Sequence, residues 1–408
     1  MTYPKIRFRG FSKEWERTSY KEIASSFQYG LNAPATTYDG INKYLRITDI
    51  DESLRFFSKS QLTTPSANLL HCDNYLLNSG NIVFARTGAS VGKSYIYNEK
   101  DGKVYFAGFL IRMTPKINVD PHFVFQNTLT DKFEDHVRLV SQRSGQPGIN
   151  VSDLQSYQFY IAPDSEEQKR ISDYLCAVDS QLKECINNIL SLKQIKSACL
   201  QSMFPQEGES VPKVRFKGFD KKWIKYTLSN IFIERHEIST ITDTLPQLSF
   251  TISEGIIRPE NRKSNKRDFL IKDKENKKYL VTYIGDIIYN PANVVYGAIH
   301  RNSLCNGVVS PIYKIFSTEQ DSKFMECIVR NPKFISSLSM KTEGTVTKLK
   351  TLKPEDFLEM EVMISPNLEE QQKIAAYFKN LDKQISLQTQ RLEKLKQIKS
   401  ACLDKMFV

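Results

Sequence analysis

Leu192-Lys-Gln-Ile-Lys-Ser-Ala-Cys-Leu200 returns letter for letter as Leu395-Lys-Gln-Ile-Lys-Ser-Ala-Cys-Leu403, and Met203-Phe204 then corresponds to Met406-Phe407. Working outward, Pro4-Lys-Ile-Arg-Phe-Arg-Gly-Phe-Ser-Lys-Glu-Trp15 returns as Pro212-Lys-Val-Arg-Phe-Lys-Gly-Phe-Asp-Lys-Lys-Trp223. A gap-free match of this length is not chance. The 408-residue chain is two copies of one unit. Each copy is too long for a solenoid repeat and suits a tandem domain.

The two copies agree closely at their ends and poorly in their middles. A few middle positions still align: Gly80-Asn-Ile-Val-Phe84 with Gly285-Asp-Ile-Ile-Tyr289, and Val91-Gly92 with Tyr296-Gly297. The ends therefore do one job twice, and the middles do different jobs.

The unit ends read as long helices. Asp164 or Ser165 is placed to cap the first and Asn367 the second, and Glu166-Glu167 and Glu369-Glu370 suit the positive end of a helix dipole. Apolar residues then step by four and three through Ile171, Leu175, Val178, Leu182, Cys185, Ile189, Leu192, Cys199 and Met203. The second copy gives Ile374, Phe378, Leu381, Ile385, Leu392, Leu395, Cys402 and Met406. This is a heptad seam. Lys196 and Lys399 interrupt it at matching places, and Gln388 stands where the first copy has Cys185. A helix of about 40 residues is roughly 60 Å long and cannot bury its stripe alone. An antiparallel pairing of the two helices is expected; the alternative is that each packs on its own domain. Each large seam side chain contributes about 1.5–3 kcal/mol when buried, before entropy.

The middles read as mixed α and β. Strands are expected at Tyr44–Ile50, Gly80–Ala85, Val104–Ala107 and Tyr157–Ile161, then at Gln247–Ile252, Tyr279–Tyr283, Asp286–Tyr289 and Phe357–Ile364. Helices are expected near Pro121–Val140 and Lys323–Ser337. The fold class is α+β: two tandem domains joined by two long helices packed as an antiparallel coiled coil with pseudo-twofold symmetry. The divisions are 1–160, a central helix at 161–208, a second domain at 209–363 and a helix at 364–408.

Composition fits this reading. With 40% hydrophobic and 25% charged residues the chain has material for real cores, which excludes a collagen, a disordered tail or a small disulfide scaffold. The net charge of +11 suits a polyanionic partner, as it also suits an ordinary basic protein. Seven cysteines without a C-x-x-C and five histidines support neither a zinc site nor a disulfide framework. No apolar stretch reaches bilayer length, so no membrane partner is expected and a reducing cytoplasm is the natural compartment.

Three near-motifs for catalysis fall short. Gly88-Ala-Ser-Val-Gly-Lys-Ser94 has three residues between its glycines where a P-loop needs four, and the aligned Asn293–Ile299 lacks the lysine. Pro163-Asp164 with Glu167-Gln-Lys169 imitates a metal-nuclease signature, but its carboxylates sit together at a helix start rather than converging from separate strands. Asn290-Pro291-Ala292-Asn293 lacks the second proline and the aromatic of amino-methyltransferases. No catalytic residue and no metal ligand is assigned.

The loops then read as binding elements. Arg86, Thr87, Ser90 and Lys93 lie on a donor-rich, glycine-containing stretch, and Gln142, Arg143 and Gln146 on a turn. Arg and Gln are the side chains that read guanine and adenine bidentately in the major groove. Arg46 joins this set. The second copy offers Asn290, Asn293 and Tyr296, then Thr345 and Lys348 at a comparable place to the Gln142 turn, and a basic run from Arg258 to Lys278, including Arg262 and Lys263, suited to phosphates. For each loop the plain alternative is a solvated surface turn.

Together these residues resemble the specificity subunit of type I restriction-modification systems, the HsdS family. The resemblance rests on the Pro-Lys-[Ile/Val]-Arg-Phe-x-Gly-Phe…Trp openings, the Pro-x-x-Glu-Glu-Gln-x-x-Ile helix starts at Pro163 and Pro366, and the Gln-Ile-Lys-Ser-Ala-Cys-Leu…Met-Phe ends, and it runs the whole length. It implies two target-recognition domains, each reading one half of a bipartite asymmetric double-stranded DNA sequence, spaced by an antiparallel coiled coil. It implies a noncatalytic subunit that binds no cofactor itself, with S-adenosylmethionine, ATP and Mg on partner subunits. The partners it implies are two copies of the methyltransferase subunit and, in the full complex, restriction subunits, directing adenine-N6 methylation or restriction. Recognition domains differ widely in this family, so the loop residues above are not transferred by motif. Two other readings remain open: a fused methyltransferase-nuclease of the type IIG kind, and a coiled-coil scaffold with no DNA role.

Overall fold

Ile82–Ala85 and Ile287–Tyr289 are apolar and fully buried along their whole length, as strands covered on both faces must be. Each is the centre of the same small sheet. In the computed structural model, which describes residues 3–142, 147–262, 277–339 and 351–408, Ile82–Ala85 pairs antiparallel with Ser94–Ile96 and with Leu110–Pro115, and the latter with Ala24–Tyr29. In the second copy Ile287–Tyr289 pairs antiparallel with Ile299–Arg301 and with Lys314–Thr318, and the latter with Phe232–Glu234. A second antiparallel ladder closes each domain: Glu16–Ser19 with Gln158–Ile161, and Ile224–Thr227 with Glu361–Ile364. The domains differ outside this frame. The first adds a parallel pair, Lys43–Leu45 with Val104–Phe106. The second adds the three-stranded ladder Ile238–Ser239, Tyr279–Thr282 and Gly307–Val309.

Several expected elements are shorter or split. Tyr44–Ile50 is a strand only to Leu45, because Asp49 folds back on the Arg46 backbone and starts a 3-10 turn at Ile47–Asp49. The helix expected over Pro121–Val140 is two, Pro121–Asn127 and Asp131–Ser141, since Thr130 caps the second. The helix expected over Lys323–Ser337 is also two, Ser322–Val329 and Pro332–Leu338, with Asn331 as cap and Pro332 at the first helical position, where its missing N–H costs nothing. In Phe357–Ile364 a helix over Pro354–Leu358 precedes the strand Glu361–Ile364.

The long helices run Ser165–Ser202 and Leu368–Met406. The chain forms two compact units: one joins Met1–Ile189 to Gln388–Val408, and the other is the single stretch Leu190–Leu387. Each unit therefore contains one domain, the first half of the helix that follows it, and the last half of the other helix. In the first unit, Val178, Leu182 and Cys185 pack with Leu392 and Leu395, while Ile171 and Leu175 join Met406 and Phe407 in the domain core. In the second unit, Ile374, Phe378 and Leu381 pack with Leu192, Cys199 and Met203. In both units early residues of one helix meet late residues of the other, so the paired halves run antiparallel. Both expected packings thus occur together: helix on helix, and helix on domain. Of the seam residues, Ile189 is also buried, and Leu192, Ile385 and Leu392 are half-buried.

Candidate nucleic-acid interface and helix sockets

The helix caps are Asp164, which accepts from Glu166 N (3.0 Å), and Asn367, which accepts from Glu369 N (2.8 Å). The second glutamate of each pair has another role. Glu167 is fully buried and receives Arg7 Nε at 2.6 Å and Nη2 at 2.8 Å. Glu370, equally buried, receives Arg215 Nε at 2.6 Å and Nη2 at 2.8 Å. Each arginine spends its remaining Nη2 bond on a carbonyl of its own opening segment, Lys13 or Lys221, at 2.7 Å. Such planar two-point pairing is what guanidinium and carboxylate geometry favours. It raises the pKa of both arginines, through the hydrogen bonds to Glu167 and Glu370 first.

The glutamine after each pair fastens the helix to the domain. Gln168 donates to Ala162 O (2.7 Å) and accepts from Asp120 N (3.0 Å); Gln371 donates to Ser365 O (2.8 Å) and accepts from Asp321 N (3.1 Å). The Met-Phe ends fill sockets made by the opening tryptophans. Phe407 lies edge-on to Trp15 (6.4 Å) and 5.0 Å from Phe123; Phe204 lies edge-on to Trp223 (5.7 Å) and 5.5 Å from Phe324. The socket of each domain is thus filled by the end of the helix that follows the other domain. Lys196 and Lys399, which interrupt the seam, meet Asp382 and Asp179 at 2.5 Å.

The candidate binding loops lie between equivalent strands. In the first unit Ala85 N donates to Lys93 O and Gly92 N to Ala85 O, each at 2.8 Å; in the second Asn290 N donates to Ala298 O at 2.9 Å. Gly92 and Gly297 both hold positive φ, 80° and 86°, so the Val91-Gly92 and Tyr296-Gly297 alignment has a backbone cause. The backbone of a later segment docks beside each loop: Ile149 N donates to Arg86 O (2.8 Å) and Leu352 N to Pro291 O (3.1 Å).

Arg86 stacks its guanidinium over Tyr29, 4.8 Å from the ring centre, and shares a groove with Arg46 and the exposed Phe109. Gly30 floors that groove; a Cβ there would meet Ala107 O at 2.1 Å. Arg46 is engaged with Asp49, Nε at 2.9 Å and Nη2 at 2.8 Å, and remains partly exposed. Thr87 bridges to Gly148. Lys93 differs from its neighbours. It is 5% exposed, donates to Ile50 O at 3.1 Å and pairs with Glu52, which also accepts from Ser90 Oγ at 3.3 Å. Its ammonium is an internal brace and not a loop cation. Ser90 and Gln142 line a second groove around that brace, away from the Arg46–Arg86 groove.

In the second unit Asn290, Asn293 and Tyr296 share one loop. Asn290 Oδ1 accepts from Ala292 N (3.0 Å), and Tyr296 stands exposed. Arg258 and Arg262 lie on a separate turn around Pro259–Asn261. Arg143, Gln146, Lys263, Thr345 and Lys348 lie outside the described residues. Among the described residues no group of His, Cys, Asp and Glu is arranged to hold a metal ion, and no helix is long and apolar enough to cross a membrane.

Sequence reasoning missed Arg7, Arg215, Glu167, Glu370, Gln168 and Gln371 as the fasteners. The signal was present, because each stands at the same place in both copies. Phe109 and Tyr29 carried no such signal, since the loops around them occur once.

Two copies of one frame, one set of helix fasteners used twice and two unlike sets of loops define a duplicated protein. The chain belongs to the type I restriction modification DNA specificity domain family, whose model matches residues 13–192 and again 221–397. Its structure resembles the type I restriction-modification S subunit from M. genitalium at 13% identity, covering 100% of this chain and 99% of that one, with a TM-score of 0.66. It is also similar to a chain solved in work on complex assembly and conformational transition of the type I R-M system (15% identity, 99% of each chain, TM-score 0.47). A third similar structure is the HsdS subunit from Thermoanaerobacter tengcongensis (16% identity, 100% and 99%, TM-score 0.43).

Proposed function

We propose that this chain is the noncatalytic DNA-specificity subunit of a type I restriction-modification complex. Each domain reads one half of a bipartite double-stranded DNA target, and the long helices space the readers and dock two methyltransferase subunits. The complex then methylates adenine N6 or, with restriction subunits, cleaves. S-adenosylmethionine, ATP and Mg act on those partners. The observation that carries the reading is a contrast between the units: fasteners from Arg7 to Glu167 and from Arg215 to Glu370 are the same, while the groove with Arg86 and Phe109 and the loop that exposes Tyr296 are unlike. Identical fasteners suit identical partners, and unlike loops suit unlike half-sites. The stacked Arg86 in a groove with exposed Phe109 suits a base edge, which an arginine reads bidentately. The seven cysteines are free thiols, in keeping with a reducing cytoplasm.

Exchange of residues 15–160 for those of another family member tests this. Methylome sequencing of cells carrying the chimera is expected to show one half of the target changed and the other kept. A change in both halves, or in neither, overturns the reading.

A further inference from the structure

The strand frames share a corner whose letters differ. After the strand Val104–Phe106 the chain turns through Gly108-Phe109, and Leu110 N donates to Ala107 O (2.8 Å). After Gly307–Val309 it turns through Pro311-Ile312, and Tyr313 N donates to Ser310 O (3.2 Å). Each turn feeds the strand that pairs with the buried central one. The ladders fix the correspondence. Phe84 faces Ile111, and counting two positions outward along each strand reaches Arg86 and Phe109, where Arg86 N donates to Phe109 O (3.0 Å). Tyr289, the counterpart of Phe84, faces Lys314, and the same count reaches Pro291 and Ile312.

Phe109 is 64% exposed and Ile312 60%. The corner of a tight turn ordinarily takes Gly, Asn, Asp or Ser, which water solvates readily. One exposed apolar side chain is unremarkable, but a large one at the same corner of two domains whose surrounding letters have diverged calls for a cause. Core packing is not that cause, because the next residues, Leu110 and Tyr313, are the buried ones. Each corner stands at the root of a candidate reading loop, which Arg86 opens in the first domain and Asn290 in the second. In the first domain Phe109 lines the groove that holds Arg46 and Arg86. The Tyr29 hydroxyl beneath the Arg86 guanidinium accepts from Val151 N (3.3 Å), so the wall of that groove is tied down.

Two domains that read different half-sites keep this apolar corner for something the half-sites have in common. Under the reading above, on which this inference rests, each half-site holds an adenine to be methylated, and the partner of that adenine is a thymine. Thymine presents a C5-methyl group in the major groove, an apolar feature on an otherwise polar base edge. We propose that Phe109 and Ile312 pack on the thymine methyl of the target A·T pair, one in each half-site. A phenyl ring and a branched aliphatic chain both cover a methyl group and neither hydrogen-bonds, so the corner has changed its identity and kept its character. The adenine leaves the base stack for its chemistry, and the thymine left behind keeps this contact.

The test uses the full chain in complex with its methyltransferase subunits, and duplexes carrying the target that methylome sequencing defines. Exchange of residues 15–160 assigns the half-sites to their domains. Deoxyuridine in place of the thymine opposite the target adenine removes the methyl group alone. In either half-site it is expected to weaken competition binding by the parent about fourfold, the contribution of one buried methyl-sized group. Phe109→Ala is expected to bind thymine and uridine duplexes equally in the first half-site and still to discriminate in the second. Ile312→Ala is expected to do the reverse, and Phe109→Leu to keep the discrimination. Melting temperatures are expected to match the parent, since both side chains are exposed. Equal binding of thymine and uridine duplexes by the parent overturns the proposal, whether or not the alanine variants fold. Undiminished discrimination by a folded alanine variant also overturns it. A parent complex with no preference for the target over a scrambled duplex overturns the functional reading itself.

Discussion

Lys399 Nζ lies 2.5 Å from Asp179 Oδ1, and Lys196 Nζ lies 2.5 Å from Asp382 Oδ1. The four residues are two repeat positions, each pair taking one from each long helix. What interrupts the apolar seam is therefore a polar key at a fixed height. Each carboxylate also receives a domain side chain: Gln126 Nε2 on Asp179 (2.8 Å) and Lys323 Nζ on Asp382 (2.7 Å). Burial pushes the Asp382 carboxyl up, but Lys323 and Lys196 outweigh it and hold the group below its usual range.

Breaking one key should cost stability. Lys399→Met leaves Asp179 half-buried with a single donor, and a loss of roughly 1–3 kcal/mol is expected. Replacing both, Lys399→Met with Asp179→Leu, should recover only part of it, because buried Gln126 Nε2 then loses its acceptor. Urea unfolding of the two single variants and the double variant measures the coupling; simple additivity would show that the pair is not a unit.

Removing a socket arginine should be costlier. Arg7→Ala strands a fully buried Glu167, and a loss of roughly 3–5 kcal/mol is expected. Adding Glu167→Gln should return part of it by removing the stranded charge. Hydrogen exchange is expected to show the loosening in the first domain, and Arg215→Ala to loosen the second in the same way.

Arg86 and Lys93 should separate cleanly, though they lie in one loop. Arg86→Ala is expected to leave the melt unchanged and to relax discrimination at one base by about 1–3 kcal/mol. Lys93→Ala removes the buried partner of Glu52 and should lower stability first. Filter binding on matched and mismatched duplexes, beside thermal melts, decides. Unchanged specific affinity for Arg86→Ala would remove Arg86 from the interface.

His300 should give stability an acid limb. Burial brings its pKa down from 6.5 to about 4, and Nε2 lies 2.8 Å from Ile252 O. The unfolded chain therefore binds the proton first. Stability is intact above about pH 6.5 and falls as pH drops toward 4, by roughly 2–3 kcal/mol from this group. His300→Gln should flatten that limb relative to the parent in urea unfolding between pH 4 and 7; parallel curves would exclude His300 as the cause.

The repeat was legible because identical work needs identical residues: the Arg7 and Arg215 openings, the glutamate and glutamine helix starts and the Met-Phe ends recur as letters. The seam was legible because a buried helix face must be apolar every three or four residues. Lys93 shows the opposite case. A lysine in a glycine-containing loop looks the same in sequence whether it points out or in, and Glu52, which draws it in, lies on a distant loop. Arg86 was legible as a loop donor, while its stacking on Tyr29 needed a strand far away in the chain.

By itself the amino-acid sequence determined that the chain is a duplicated α+β protein with two long amphipathic helices, because periodicity and repetition are local properties of the letters. Only tertiary structure decided that each compact unit joins one domain to halves of both helices, that Phe407 fills the socket of Trp15 and Phe204 that of Trp223, and which loop cations face solvent. Those outcomes depend on which surfaces meet, and burial energies between distant segments are set by shape and partner, which no single stretch of chain contains.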